Sequence, residues 1–171
     1  MIEAWKGKSI LLGVTGGIAI YKSVGLASKL TQAGAEVDVV MTPAAQEFVT
    51  PLTFAAVTHR AVHVNQWHSD RRPEHIALAE RPDLVVVAPC TANTMAKLAH
   101  GIADNLLTSV LLATVKPVLL APAMNVGMWN AKPTRRNPPP PVADGAAALG
   151  PGPRPPPRRS PTARRHAPAK E

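Results

Sequence analysis

Apolar and polar residues follow two different patterns along the first 130 residues of this chain. Short continuous apolar runs predict buried β-strands at 9–14, 36–41, 83–88 and 117–121, with a shorter strand at 61–64. The longer segments between them carry apolar residues at helical spacing. Strands that are apolar throughout are buried on both faces, so the pattern predicts an α/β fold with a doubly wound parallel sheet.

Turn residues mark the ends of the predicted helices. Apolar residues three and four apart predict a helix over 18–33, which stops at Gly34 as a C-terminal cap. Thr42 and Pro43 are typical of the N-cap and first turn of a short helix over 43–49. Two further helices are predicted over 92–99 and 104–113.

The composition of the chain changes near residue 131. Residues 131–171 hold 12 of the 19 prolines, and 9 of the 19 Lys and Arg against 2 of the 11 Asp and Glu. We therefore expect one folded domain, 1–130, followed by a Pro/Arg-rich tail, 131–171, that is disordered. Most of the net charge of +8 belongs to this tail, so the nearly neutral folded part carries no nucleic-acid footprint.

Cys90 is the one cysteine of the 171 residues. It excludes an internal disulfide and favours a reducing, cytoplasmic compartment. It follows an apolar strand without an adjacent basic residue, which favours an inert thiol over a nucleophile. We expect neither a secretory signal nor a membrane span, because the first residues are mixed and the first apolar run is short.

Two loops that follow predicted strands have the composition of a ligand site. In Thr15-Gly16-Gly17-Ile18, glycines let the backbone approach an anion at a helix N-terminus, although a tight turn alone would also need them. The loop at 89–94 offers hydroxyl and amide groups, and Thr91 or Asn93 is also expected to be an N-cap. Ligands of open α/β sheets bind at the carboxyl ends of the strands, where both loops would lie.

The end of the second predicted strand narrows the class of ligand. Dinucleotide-binding folds carry Asp or Glu there to hold the adenosine ribose, whereas this strand ends in Val40-Met41-Thr42-Pro43. A hydroxyl without a carboxylate suits a phosphate. The sequence therefore favours a mononucleotide such as FMN over NAD.

A third candidate segment, Pro122–Trp129, follows the last predicted strand and presents an amide, two thioethers and an indole. His75 lies at a predicted helix start, where an ordinary surface or capping histidine is the alternative to a proton-transfer group. His59, His63 and His68 are spaced four and five residues apart. No cysteine or suitable carboxylate cluster accompanies them, so no metal site is expected.

Together these segments resemble the flavin-dependent cysteine decarboxylase family. The matching residues lie between Lys8 and Trp129, and the most specific motif is Pro-x-Met-Asn-x-x-Met-Trp at 122–129. The other matching segments are 13–19 with Tyr21-Lys22, 41–45, His75-Ile76, 88–94 and 101–107. The resemblance implies a Rossmann-like fold, the three-layer flavoprotein sandwich.

The resemblance also implies a cofactor, site residues and an assembly. It implies FMN bound at the interface of a homotrimer or a multiple of trimers, with His75 and Asn125 as catalytic residues. Asn125 and Met128 would also contact the substrate. The residues that would bind the cofactor are Gly16, Gly17, Ile18, Thr42, Thr91, Ala92, Asn93, Thr94 and Ala123.

The activity that the resemblance implies is decarboxylation of phosphopantothenoylcysteine in coenzyme A biosynthesis. The flavin would oxidise the cysteinyl thiol, and the oxidised substrate would then lose CO2. Residues 131–171 lack the flap cysteine that donates a proton in the reductive half-reaction of this family. The expected consequence is poor formation of the saturated product.

Three other functions remain open from the sequence. A flavin prenyltransferase has a similar fold, but the His75-Ile76 and Met124-Asn125 contexts do not favour it. An FMN-binding regulatory homologue without turnover would fit the missing flap cysteine. The basic tail could also bind nucleic acid or an acidic partner in a salt-sensitive way. We rank all three below the decarboxylase, with the regulatory homologue ahead of the other two.

Overall fold

The computed structural model describes residues 5–65 and 74–136, together with the backbone of 147–148. The strands are β1 Ser9–Val14, β2 Glu36–Met41, β3 Val62–His63, β4 Leu84–Cys90, β5 Val118–Pro122 and β6 Ala147–Ala148. The helices are α1 Ile20–Gln32, α2 Pro43–Gln46, α3 Pro51–Thr58, α4 Glu74–Glu80, α5 Ala92–Ala99, α6 Leu106–Ala113, α7 Val126–Asn130 and α8 Lys132–Arg136.

The described strands form one sheet in the order β3-β2-β1-β4-β5-β6, and every neighbouring pair is parallel. In the centre, β1 pairs with β2 from Ser9 opposite Glu36 to Val14 opposite Met41. Helices connect the strands and cover both faces. The predicted α/β fold with a doubly wound, Rossmann-like parallel sheet is therefore confirmed.

Alternate residues of β1 belong to two separate cores. Ile10, Leu12 and Val14 pack on one face with residues of α1, α2 and α3, while Leu11 packs on the other with residues of α4, α5 and α6. Because a strand points successive side chains to opposite faces, a continuous apolar run fits only a sheet with helices on both sides. This produces three layers and fixes β1 in the middle of the molecule.

Several predicted helix ends are confirmed by their backbone geometry. Gly34 follows α1 with φ of 86°, the left-handed conformation that favours glycine at this place. The Thr42 hydroxyl accepts a hydrogen bond from the backbone N–H of Ala45 and so caps α2. α1 begins at Ile20, two residues later than the pattern predicts.

Four elements were not predicted from the sequence. α3 lies in residues given no assignment, and α7 lies in the segment 122–129, for which no helix was predicted. α8 and β6 lie where a disordered tail was expected from residue 131. The prediction was wrong for residues 132–136, because the lone Pro133 falls in the first turn of α8, where proline is tolerated. The remainder of the predicted tail, apart from the two residues of β6, lies outside the described residues.

An ion-pair cluster joins β2 to the ends of two helices. Asp38 is buried on β2, and its carboxylate accepts hydrogen bonds from Arg60, at 2.6 and 3.2 Å, and from Arg81. Arg60 follows α3, and Arg81 follows α4. The hydrogen bond with Asp38 is the main reason that the pKa of Arg60 is raised. Asp38 therefore ties the connections on either side of β3 to the sheet.

We expect Asp38→Asn to lower the free energy of unfolding by about 1–3 kcal/mol, because it weakens charge-assisted hydrogen bonds to two arginines. Urea denaturation followed by circular dichroism measures the change. The matched control is Glu36→Gln, which removes a more exposed partner of Arg60 at 3.5 Å and should change stability by less than about 0.5 kcal/mol. Equal losses in the two variants would contradict the role of Asp38.

Candidate functional site

A groove of about 1350 Å³ lies at the carboxyl ends of the central strands. The segments that follow β1, β2, β4 and β5 form its walls, as expected for the ligand site of an open parallel sheet. Eleven residues expected at a site from the sequence line this groove: Gly16, Gly17, Ile18, Thr42, Thr91, Ala92, Asn93, Thr94, Ala123, Asn125 and Met128.

Gly16 is required by a close approach between two walls of the groove. A Cβ atom at this position would lie 2.6 Å from both the Cβ and the carbonyl oxygen of Ala44. Gly17 differs, because a Cβ there would meet only the Thr91 methyl group at an ordinary 3.6 Å. The constraint on Gly16 is therefore this close packing, and φ at Gly16 is not positive. Its absent side chain lets the loop after β1 pack directly on α2.

A buried threonine connects the loops after β1 and β4. The Thr15 hydroxyl donates to the carbonyl oxygen of Pro89 at 2.7 Å and accepts from the backbone N–H of Thr91 at 3.1 Å. The Ala123 N–H donates to the Cys90 carbonyl at 3.0 Å, which joins the segment after β5 to the same place. Three walls of the groove are thus held together by hydrogen bonds to one short stretch of backbone.

Four neutral side chains that cap helices line the groove. The side-chain oxygens of Thr42, Thr91, Asn105 and Asn125 accept hydrogen bonds from first-turn N–H groups of α2, α5, α6 and α7. Thr91 is thereby confirmed as the cap that the sequence left open between Thr91 and Asn93. A threonine that accepts in this way keeps its own O–H for donation to a neighbouring oxygen.

Asn125 has one end of its amide engaged. Its Oδ1 accepts from the Gly127 N–H at 2.7 Å, and since only an oxygen can accept there, the orientation of the amide is settled. The Nδ2 group makes no hydrogen bond within the described part of the chain. Asn125 therefore offers a donor to the groove, which suits an anionic group such as a carboxylate.

The charged side chains at the groove are Lys22, Lys97 and Asp104. Lys97 donates to Asp104 at 2.6 Å, and this hydrogen bond is the main reason that the pKa of Asp104 is lowered. The Asp104 carboxylate also accepts from the side chain of Asn105 at 3.0 Å. Lys97 and Asp104 offset each other's charge, and Lys22 is exposed and adds one positive charge. The charges among the lining residues therefore favour a negatively charged ligand.

His75 is the one predicted site residue that the structure places outside the groove. It is the second residue of α4, and the preceding Glu74 contacts His63 at the end of β3. The start of α4 thus lies at the same edge of the sheet as the groove, on the face where α4 packs against α6. The His75 Nδ1 atom is buried and has no hydrogen-bond partner among the described residues.

Cys90 is buried at the end of β4, and burial raises its pKa to about 12. This agrees with the inert thiol expected from the sequence. Of the three histidines weighed as metal ligands, His63 contacts Glu74 and His68 lies outside the described residues. Within 5–65 and 74–136, no three His, Cys, Asp or Glu side chains come together as a metal site.

Sequence reasoning missed the polar contacts that connect one segment to another. Thr15 was included in a glycine-containing loop but given no role of its own, although its partners at Pro89 and Thr91 hold the site together. The Lys97–Asp104 pair was also missed. Neither contact has a local sequence signature. The first joins segments far apart in the sequence, and the second joins two residues across the loop between α5 and α6.

The fold and the groove define a Rossmann-like protein with a groove at the carboxyl ends of its strands. The flavoprotein family profile matches residues 3–140. The chain belongs to the flavoprotein family. No helix in the described part of the chain is long and apolar enough to cross a membrane.

Two curated relatives and one solved structure illustrate the similarity. The chain is 49% identical over 133 residues to the coenzyme A biosynthesis bifunctional protein CoaBC of Bacillus subtilis, which covers 76% of the chain but 32% of that protein. It is 46% identical over 134 residues to the "Probable phosphopantothenoylcysteine decarboxylase" of Streptococcus mutans. This match covers 76% of the chain and 75% of that protein. The solved structure of the FMN-dependent cysteine decarboxylase SpaF superposes on the chain with a TM-score of 0.76 at 33% identity. This superposition covers 87% of the chain and 85% of SpaF.

The two relatives differ in how much of their length the chain accounts for. It spans about a third of the bifunctional protein and three quarters of the Streptococcus mutans protein. The matching part of the bifunctional relative is therefore one portion of a larger protein.

Cys90 provides a test of the burial at the end of β4. At pH 8, a thiol with a pKa of about 12 holds only about 10⁻⁴ of its population as thiolate, so the native protein should not react with a disulfide reagent within minutes. Unfolding in guanidinium chloride should release one reactive thiol per chain. Full reaction of the folded protein at pH 8 would contradict the buried position.

Proposed function

We propose that this chain binds FMN and decarboxylates phosphopantothenoylcysteine in coenzyme A biosynthesis. The observation that carries the proposal is the groove, which unites the loops after β1, β2 and β4 with the Asn125–Met128 segment. The similarity to a phosphopantothenoylcysteine decarboxylase and to an FMN-dependent cysteine decarboxylase supports it. The proposed compartment is the cytoplasm, on the basis of the single buried cysteine.

The residues at the groove fit FMN. The lining includes backbone at Gly16 and Gly17 without side chains, and the first turn of α5. It also includes the hydroxyl of Thr42 and the pair of Thr91 and Thr94 hydroxyls, which are hydrogen-bonded to each other at 3.2 Å and leave one O–H of the pair free to donate. These are donors for a phosphate, while Ile18, Met124 and Trp129 supply apolar surface for a ring. The lining residues include no carboxylate at the end of β2, where a dinucleotide ribose would need one.

FMN supplies a two-electron oxidant for the substrate thiol when it is bound. The chain's own contribution is to bind and orient the substrate beside it. The Asn125 Nδ2 group would donate to the cysteinyl carboxylate, and its Oδ1 is fixed by Gly127. Met128 is about half exposed in the groove and would contact the same end of the substrate.

We further propose that His75 completes the groove of a neighbouring copy in a homo-oligomer, a trimer or a multiple of trimers. His75 does not line its own groove, yet it lies at the same edge of the sheet and carries a buried Nδ1 atom without a partner. A site shared between subunits would give that imidazole a role. Its position beside the substrate carboxylate would let it hold or move a proton near neutral pH.

The first experiment is reconstitution with FMN, followed by measurement of CO2 released from phosphopantothenoylcysteine. We expect the purified chain to show a flavin spectrum that releases FMN on denaturation, and to release CO2. Asn125→Asp keeps a capping oxygen for α7 but replaces the donor by a negative charge, so kcat/KM should fall by about 100-fold. Flavin content should stay unchanged in this variant.

Two results would contradict the proposal. A folded chain that binds no FMN would exclude the cofactor, and an Asn125→Asp variant with unchanged kcat/KM would exclude the role of its amide. Asn130→Asp, near the end of the same helix, is the matched control and should leave kcat/KM within threefold of the wild type.

Subunit mixing tests the shared site. His75→Gln and Asn125→Asp should each keep no more than about 1% of the wild-type activity, whereas a coexpressed mixture of the two should recover up to about one quarter of it if each site takes these residues from two copies. Coexpression of His75→Gln with His75→Asn is the control and should recover none. Absence of recovery in the first mixture would place both residues in one subunit's site.

A further inference from the structure

The Thr15 hydroxyl connects the loop after β1 to the loop after β4, beyond the point where the β1–β4 pairing ends. The β1–β4 pairing ends at Gly13 opposite Val87, and the β4–β5 register shifts between Val87 and Cys90. Beyond these positions the backbone groups at the end of β4 need partners other than a regular ladder. Thr15 is 1% exposed and supplies two of them, to the Pro89 carbonyl and to the Thr91 N–H.

Both hydrogen-bonding roles of the Thr15 hydroxyl are occupied within the protein. It donates its single hydrogen to Pro89, so it has none left to donate to a phosphate, although it lies in the wall of the groove. Its function at the site must therefore be exerted through the residues that it holds. Of the two residues that it holds, Thr91 lines the groove and is the N-cap of α5.

The position of Thr91 determines where the first turn of α5 lies. The first intrahelical hydrogen bond at this end runs from the Met95 N–H to the Thr91 carbonyl, so the N–H groups of Ala92 and Asn93 precede the helical ladder. Both residues line the groove, as Gly16 and Gly17 do. A displacement of Thr91 would move these donors relative to that loop.

We propose that Thr15 is a positioning residue for FMN, which sets the distance between the Gly16-Gly17 loop and the first turn of α5 through its two hydrogen bonds. This inference rests on the proposed function. It assigns to Thr15 an effect on cofactor affinity without contact between its hydroxyl hydrogen and the cofactor. The methyl group is not needed for the bridge, so serine should replace threonine.

Ser23 offers a matched control for the cost of losing a buried hydroxyl. Its Oγ donates to the Ala88 carbonyl at 2.7 Å, one residue before Pro89, and the side chain is 3% exposed. Ser23 lies on α1, outside the groove lining, and has no contact with the Thr91 N–H. Ser23→Ala therefore removes a comparable hydrogen bond from the same strand without releasing α5.

The test uses the full chain and the variants Thr15→Val, Thr15→Ser and Ser23→Ala. Hydrogen exchange of the Thr91 amide in the FMN-free protein measures the bridge directly, and quenching of FMN fluorescence measures affinity. We expect Thr15→Val to speed Thr91 exchange at least tenfold and to weaken FMN binding at least tenfold. Thr15→Ser and Ser23→Ala should stay within threefold of the wild type in both measurements.

Three results would overturn the proposal. These are a folded Thr15→Val variant with wild-type FMN affinity, an equal loss of affinity in Ser23→Ala, or a failure of Thr15→Ser to restore binding. If Thr15→Val does not fold, Thr15→Ala is measured instead with the same expected results. A wild-type chain that binds no FMN would contradict the proposed function, and Thr91 exchange would still decide whether the bridge exists.

Discussion

The structure depends on the burial of β1 from both faces and along both edges. Its side chains alternate between two cores, and its backbone pairs with β2 and β4 at the same time. A strand in this position has no freedom to shift register, because a slip of one residue would exchange its two sets of side chains between the cores. The end of β1 is therefore a fixed reference point, and the groove is built around it. Gly16 rests on Ala44 on one side, and Thr15 holds Pro89 and Thr91 on the other.

The fold could be predicted to the extent that its elements are defined by local patterns. The four long strands were recognisable because they are apolar runs, buried on both faces in β1, β2 and β4 and alternately buried and half-buried in β5. α1 was recognisable because its apolar residues keep a helical spacing up to Gly34. α3 was not recognisable in the same way. Its apolar residues surround the helix, so that Phe54 is buried while Leu52 is exposed, and no single face distinguishes it.

The candidate site could be predicted in its members but not in its connections. Parallel strands bring their carboxyl ends to one edge, which is enough to assemble the loops that contain Gly16, Thr42, Thr91 and Asn125. The contacts that hold those loops together join residues far apart in the sequence, more than 70 positions in the case of Thr15 and Pro89, and leave no periodic trace. The place of His75 could not be predicted for a second reason. The sequence does not say whether a residue at the edge of the sheet contributes to the groove of its own chain or to that of a neighbouring copy.

The absence of acidic residues among the four caps of the groove has a consequence for the evolution of this protein. Aspartate is as good an N-cap as threonine or asparagine, and its charge adds a favourable interaction with the helix dipole. Substitutions at Thr42, Thr91, Asn105 or Asn125 chosen for thermal stability alone would therefore converge on aspartate, and would fill an anion site with negative charge. If the groove binds FMN as proposed, selection for helix stability and selection for ligand affinity would act in opposite directions at these four positions.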